Sequence, residues 1–551
     1  MRAAFLRTSL AWLAAWALAC ALGGPIACGP PESFDGLVGG SPEAGSEADA
    51  PAVELLPDPE LAPPRPIAPL SQSWINGTRP RFEWQLASGA TGARIELCRT
   101  RACDGEKKTL DVAGNERTLD EDLAPGTWFW RLVSTTPESV GTKPSPVWAL
   151  LVRGGPSGKS APNGSIVDVN GDGRADLLVT LEYESGAGAT FIELVALLAS
   201  NDDSTSFVTT HGTHPVAGAF VRSPDPPIAA NDIDGDGISD VVFADVAGSG
   251  APAPILVTVP GSATVADALD VDRATLASLP PLDSTPNLAA VGDLDRDGWG
   301  DVAVTTARFG VATFGTRSGL GPFQYLLQLG PGPSNDAGAP RTSAFALTGA
   351  LDRDGDGLSD LVLESAEPEA PFFLYSGDAA RVFRFEIPTL AGAPAIGAAS
   401  AFAAGDFDGD GLGDVAFVTS AGGKPAICFS RGSEPVAGMR LVCWSPAAPS
   451  AGFGSSISAG DVDADGRDEL IVGSTDAGID ILGLDAKGMV AAQHLDTPFG
   501  TTLTTILPGR PAPAVWAATR ADGRAIGVFA GSVLATSLDV VEAMRFGRTI
   551  R

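Results

Sequence analysis

Histidine and tyrosine are nearly absent, with three of each in 551 residues. The histidines are His211, His214 and His494, and neither HExxH nor GxSxG occurs. Imidazole-based acid–base or zinc chemistry therefore has little to work with. His211 and His214 form an HxxH in "TTHGTHP", which reads as a polar loop. Basic residues are also scarce, 36 against 67 acidic ones, giving a net charge of −31. Nucleic acid needs basic patches, so that class of partner is excluded and cations are the natural counterpart. Beyond the amino-terminal segment no long apolar run occurs, so the remainder is expected to be soluble.

What is present begins with an export signal. Arg2 and Arg7 precede "TSLAWLAAWALACALGGPIAC", an apolar run broken by Gly23, Gly24 and Pro25 before a full membrane span is complete. Cys20 and Cys28 each follow a small residue, in a pattern that resembles a bacterial lipoprotein signal with a lipidated cysteine. Cys20 has the better apolar run before it, whereas Cys28 stands where the sequence turns polar. A plain signal peptide cleaved after Ala19 is the alternative. Residues 1–28 are thus assigned to export, to an outer-membrane or cell-surface lipoprotein or else to the periplasm or medium. Residues 29–64, rich in Pro, Glu, Ala, Gly and Ser, read as a disordered tether.

From 65 to 153 the pattern becomes "RPRFEWQL", "ARIELCR", "TWFWRLV" and "SPVWALLV". Aromatic and β-branched residues alternate there with polar ones between turn signals, which predicts a β-sandwich. The stretch resembles a fibronectin type III-like domain, with Trp84, Trp128, Trp130 and Trp148 as core. The remaining cysteines form close pairs, Cys98 with Cys103 and Cys428 with Cys443. In an exported chain these are expected as disulfides; zinc is the weaker reading, since no histidine lies near either pair. "RGGPSGKSAPNG" contains Gly158-Lys159-Ser160, but the first glycine of a phosphate loop would fall at Arg153. It reads as a hinge.

Residues 154–551 carry a repeat: "DVNGDGRAD" at 168, "DIDGDGISD" at 232, "DLDRDGWGD" at 293, "DRDGDGLSD" at 352, "DFDGDGLGD" at 406 and "DVDADGRDE" at 461. One copy is weak evidence, whereas six spaced 54 to 64 residues apart are a strong repeat signal. Each is followed by a strand-like run such as "VVFADV" or "LIVGST", which excludes EF-hands, whose loops lead into helices. Short sheets recurring about every sixty residues suggest a β-propeller. These repeats resemble FG-GAP (VCBS) repeats, as in the integrin α-subunit propeller and bacterial surface proteins; "FGSSISAGDVDADGRDELIVGS", 453–474, matches that pattern throughout. Phe499-Gly500 opens a seventh copy whose acidic loop is replaced by "LPGRPAP". The resemblance implies an all-β chain: a sandwich followed by a seven-bladed propeller.

Calcium takes six to eight oxygen ligands in flexible geometry, and magnesium demands a stricter octahedron. Oxygens at positions one, three, five and nine, with the carbonyl of position seven, can wrap one calcium ion. The candidate ligands are Asp168, Asn170, Asp172, Arg174 and Asp176 in the first loop, and Asp232, Asp234, Asp236, Ile238 and Asp240 in the second. The third offers Asp293, Asp295, Asp297, Trp299 and Asp301, and the fourth Asp352, Asp354, Asp356, Leu358 and Asp360. The fifth has Asp406, Asp408, Asp410, Leu412 and Asp414, and the sixth Asp461, Asp463, Asp465, Arg467 and Glu469. Six calcium ions would bring the formal charge from −31 to −19. Position six is glycine in every copy, which permits a left-handed turn.

These expectations combine into a calcium-binding, non-catalytic module that presents a rigid surface outside the cell to a protein or glycan. It would meet a membrane only through a lipid anchor. A propeller-based polysaccharide hydrolase or lyase, or a lectin, is the alternative; a single cleft of acids outside the loops would favour the enzyme, and a glycan array tests the lectin.

Overall fold

The computed structural model describes residues 55–550 apart from internal segments, the longest being 210–227 and 329–346. Cys20, Cys28, His211, His214 and the 155–161 stretch lie outside the described residues. Every regular element among the described residues is a strand. No helix there is long and apolar enough to cross a membrane.

The amino-terminal part is two sheets. Arg65–Ala68, Arg81–Gln85 and Glu116–Thr118 form the smaller, and Gly92–Cys98, Gly126–Thr135 and Trp148–Val152 belong to the larger. Period-two alternation turns Phe82 and Trp84 inward, while Arg81 and Gln85 stay exposed. There they meet Ile95, Leu97, Trp128, Trp130, Leu132 and Trp148 in one core. Phe82 and Trp148 both stand edge-on to Trp130, at centroid distances of 4.8 and 5.5 Å. Cys98 is bonded to Cys103, and Cys428 to Cys443 directly opposite it on the neighbouring strand.

Two boundaries differ from the sequence reading. The tether assigned to 29–64 gives way to structure earlier, because Leu56–Asp58 pairs in parallel with Ser139–Gly141 and Leu61 is buried. The sandwich also does not end at 153. Pro162–Ser165 pairs antiparallel with Ser73–Ile75 of the large sheet, so a strand past residue 153 still belongs to that sheet.

From Leu177 onward the described chain forms seven four-stranded antiparallel sheets. Six are meanders in chain order, the fifth with Ala437–Met439 set aside to pair in parallel with Thr389–Leu390. The exception is the first, whose strands Leu177–Glu184, Thr190–Ala199 and Phe207–Thr209 are completed by the carboxy-terminal strand Thr549–Ile550. The leading strands of the second to seventh sheets touch in succession. An apolar cluster lies between each sheet and the next, for example Val242, Val304 and Val311 between the second and third. A cluster also joins the seventh to the first, through Val515, Val528, Leu177 and Val179, so the succession closes on itself. Burial of each such side chain contributes about 1.5–3 kcal/mol, which explains why every repeat needs both neighbours.

Strand Trp148–Val152 shows how the two parts meet. All five residues are buried. Trp148, Leu150 and Val152 point into the sandwich core, whereas Leu151 joins the cluster between the seventh and first sheets. A strand buried on both faces cannot alternate with polar residues, hence "WALLV".

Candidate metal centres

All six acidic loops adopt one local structure, built from Asx turns. The position-one carboxylate accepts the position-six amide at 2.8–3.2 Å, from Gly173 to Asp168 through Gly466 to Asp461. The position-three side chain accepts the position-five amide, as Asp236 to Asp234 at 3.1 Å. Position five in turn accepts the position-seven amide, as Ile238 to Asp236 at 2.9 Å. Position six carries positive φ, +92° at Gly237, which a β-carbon would strain. This turn series bends the chain so that acids two apart converge. Ligand atoms of Asp232, Asp234 and Asp236 lie within 4.8 Å of one another, as do those of Asp293, Asp295 and Asp297, of Asp352, Asp354 and Asp356, and of Asp461, Asp463 and Asp465. In the fifth loop the convergent set is Asp406, Asp408 and Asp414, with position nine in place of Asp410. In the first loop Asn170 Oδ1 accepts from the Asp172 amide at 3.0 Å.

Position nine has a second duty. Its carboxylate accepts the position-two amide in every loop, from Val169 to Asp176 through Val462 to Glu469. In the first five loops its other oxygen takes an amide at or just past the end of the strand after the one the loop leads into, from Ala199, Gly261, Gly315, Gly377 and Gly432. Asp176, Asp240, Asp301, Asp360 and Asp414 are therefore staples between loop and sheet. For the position-seven residues, Arg174, Ile238, Trp299, Leu358, Leu412 and Arg467, the shared feature is the amide donated to position five.

Crowding these acids under burial opposes their ionisation. Burial first, then the neighbouring carboxylates, lifts Asp293 to about 8, and burial with Asp168 close by lifts Asp176 to about 8. Asp232, Asp240, Asp301 and Asp414 are pushed well above the carboxylate range for the same reason. One oxygen stands out. Asp232, a member of the second cluster, is 0% exposed, and its Oδ1 is buried with no hydrogen-bond partner. A buried carboxylate oxygen left bare costs several kcal/mol unless a cation meets it. Three or more hard oxygens around such an atom fit calcium, and no histidine or thiol is present to favour a softer metal.

The loops are also chained to one another. The amide of position eight donates to the position-one carbonyl of the preceding loop: Ser239 to Asp168, Gly300 to Asp232, Ser359 to Asp293, Gly413 to Asp352 and Asp468 to Asp406, at 2.7–3.2 Å. Ala514 of the degenerate seventh copy does the same to Asp461 at 2.7 Å. Ala514 thus takes the place of position eight in the seventh copy.

Residues outside the repeat pattern complete the face. Arg153, 1% exposed, forms an ion pair with Asp468 and donates to Pro508 O at 2.9 Å and Asn76 Oδ1 at 3.2 Å. Burial alone would lower its pKa, but Asp468, with Asp461 and Asp406, outweighs that and raises it. Asn76 also reaches Asp406 Oδ2 at 3.2 Å. Arg381 pairs with Asp295 and, at 3.1 Å, with Asp297. Sequence reasoning missed these partners. The available signals were Asp468, an extra acid at position eight, and Arg153, a charge ending an apolar strand.

The FG-GAP-like repeat family model matches residues 157–243 and 352–417, and the FG-GAP repeat model residues 453–491. Among solved structures, the periplasmic gluconolactonase PpgL of Pseudomonas aeruginosa is similar at 14% identity and a TM-score of 0.40, over 66% of this chain and 96% of that one. The BP39L lectin of Burkholderia pseudomallei is similar at 12% identity and a TM-score of 0.43, over 66% and 95%. No curated protein matches the sequence.

Proposed function

Because this chain carries FG-GAP repeats, we propose that its seven sheets are the blades of a propeller whose acidic loops hold about six calcium ions, and that it is a non-catalytic binding module of the cell surface. The amino-terminal sandwich is then a fibronectin type III-like accessory domain, and the leader directs export and lipid anchoring at Cys20 or Cys28. The observation that carries the calcium reading is Asp232, whose carboxylate converges with those of Asp234 and Asp236 and whose Oδ1 is buried with no hydrogen-bond partner. Calcium would neutralise the clustered charge and fix the loops; the chain's own residues supply the turns, staples and chained carbonyls that hold them ready.

The non-catalytic reading is supported by where the titratable groups lie. The loop carboxylates are occupied as turn acceptors and staples, and His494, the described histidine, pairs with Asp480 at 2.8 Å on an exposed strand. The test is elemental analysis of the purified full chain by plasma mass spectrometry after dialysis against about 10 mM calcium with the dialysate subtracted, a level about tenfold above the weak end of the extracellular-type range. Calcium close to six per chain is expected; absence of bound divalent cation overturns the reading.

A further inference from the structure

The acidic face of the ring is covered by the chain's own sandwich, and the cover is uneven. Over the second loop, Arg101 donates to Asp236 O and Gly237 O at 3.0 Å, and Trp148 Nε1 donates to Gly235 O at 3.1 Å. Ser71 Oγ reaches Gly237 O at 3.1 Å, and a β-carbon on Gly237 would run into Val147 O. Over the third loop, Arg65 donates to Asp297 O and lies on the Trp299 ring, while Glu83 takes Arg296 Nε at 2.9 Å. A β-carbon on Gly298 would meet Pro66 O and Ile67.

The fourth loop is different. A β-carbon on Gly357 would meet nothing within 4 Å, and a cavity of about 260 Å³, bordered also by Asp293 and Arg296 of the third loop, separates the fourth loop from Arg79 and Arg81 of the sandwich. Burial follows the same division. Asp234 and Asp236 are half-buried, and Asp295 and Asp297 are buried and half-buried, whereas Asp354, Asp356, Asp463 and Asp465 are exposed.

We propose that the sandwich is a built-in cap that sorts the cation sites of the ring into an enclosed set that includes the second and third loops, beside the first where Thr127 donates to Gly173 O at 3.1 Å, and an open pair, at the fourth and sixth. This rests on the calcium reading above. An ion at an enclosed site leaves only after the contacts of Arg101, Trp148, Arg65 and Glu83 part locally; an ion at an open site meets solvent directly. Arg153 keeps the cap seated, because its buried guanidinium pairs with Asp468 and donates to the seventh loop at Pro508. The enclosed loops are therefore withheld from outside partners, which must engage the open loops or another surface.

The test is stopped-flow release from the calcium-loaded full chain into excess fluorescent chelator. Two phases are expected, with at least about two ions leaving at least about fivefold more slowly, the factor set by breaking about one net hydrogen bond before release. Arg101→Ala, which removes two of the hydrogen bonds over the second loop without touching a ligand side chain, should shift close to one ion from the slow toward the fast phase. Glu83→Gln should do the same for the third. A single phase for all ions, or slow amplitudes unchanged in both variants, overturns the sorting while equilibrium calcium binding stands. No calcium at equilibrium, read by calorimetry, overturns the calcium reading with it. Amide exchange of residues 71–76 in chelator reports separately whether the cap is seated, and rapid exchange there overturns the cap itself.

Discussion

Calcium should raise the melting temperature of this protein by an amount that can be worked from its six loops. Extracellular-type sites have a Kd of about 10⁻⁴–10⁻³ M. At about 10 mM free calcium, each site that binds only the folded state adds about 1.4–2.7 kcal/mol by mass action. Six such sites add about 8–16 kcal/mol. Residues 54–551 form one compact unit. A unit of that length has an unfolding entropy of about 1 kcal/mol/K, at about 2.1 cal/mol/K per residue, so its melting point should rise by about 8–16 °C. The assay is differential scanning calorimetry in calcium, in chelator and in equimolar magnesium, whose stricter octahedron should yield a smaller rise. Asp232→Ala then serves as the internal control. It should remove about one-sixth of the calcium increment, roughly 1.4–2.7 °C, whatever it does to the metal-free melting point. An increment below about 1 °C in the unaltered protein refutes the reasoning, because even one site at the weak end of the range contributes more than that.

Three further outcomes follow from the geometry. Arg153→Met leaves Asp468 buried without its cation and should destabilise the protein by about 3–5 kcal/mol in urea, whereas a loss under about 1 kcal/mol would mean the pair is not buried in solution. Gly357→Ala, with open space at φ +89°, should cost only the left-handed backbone term of about 1–2 kcal/mol, while Gly237→Ala adds a clash with the Val147 carbonyl and should cost clearly more; equal losses would place the sandwich off the second loop. The third concerns pH in chelator. Asp168, near 7, and Asp176 and Asp293, near 8, titrate above the ordinary value of 3.8, so the stability they contribute is complete below about pH 4 and lost as pH rises toward 8. The metal-free protein should therefore melt higher at about pH 5.5 than at about pH 8.5, and excess calcium should reverse that order, since the ion binds the deprotonated form.

Much of this was legible before any coordinates. The alternation in "RFEWQ" places Phe82 and Trp84 inside because a strand has only two faces. The spacing of Asp232, Asp234 and Asp236 forces convergence because Asx turns span two residues, and both operate within one short stretch of chain. The two cysteine pairs were likewise close enough to read as staples.

The sequence could not reveal what approaches from far along the chain. Asp176 and its equivalents look like ligands in a nine-residue window; their duty as staples appears only when the chain returns along the next strand with Ala199 or Gly261. The first sheet borrows its fourth strand from Thr549–Ile550, and Arg153 finds Asp468 across 315 positions. Local hydrogen bonding and side-chain period determined the turns, the strands and the clustered carboxylates. Only the closed ring decided which of those carboxylates lie under the sandwich and which face solvent, because burial is set by long-range packing that no short window of sequence contains.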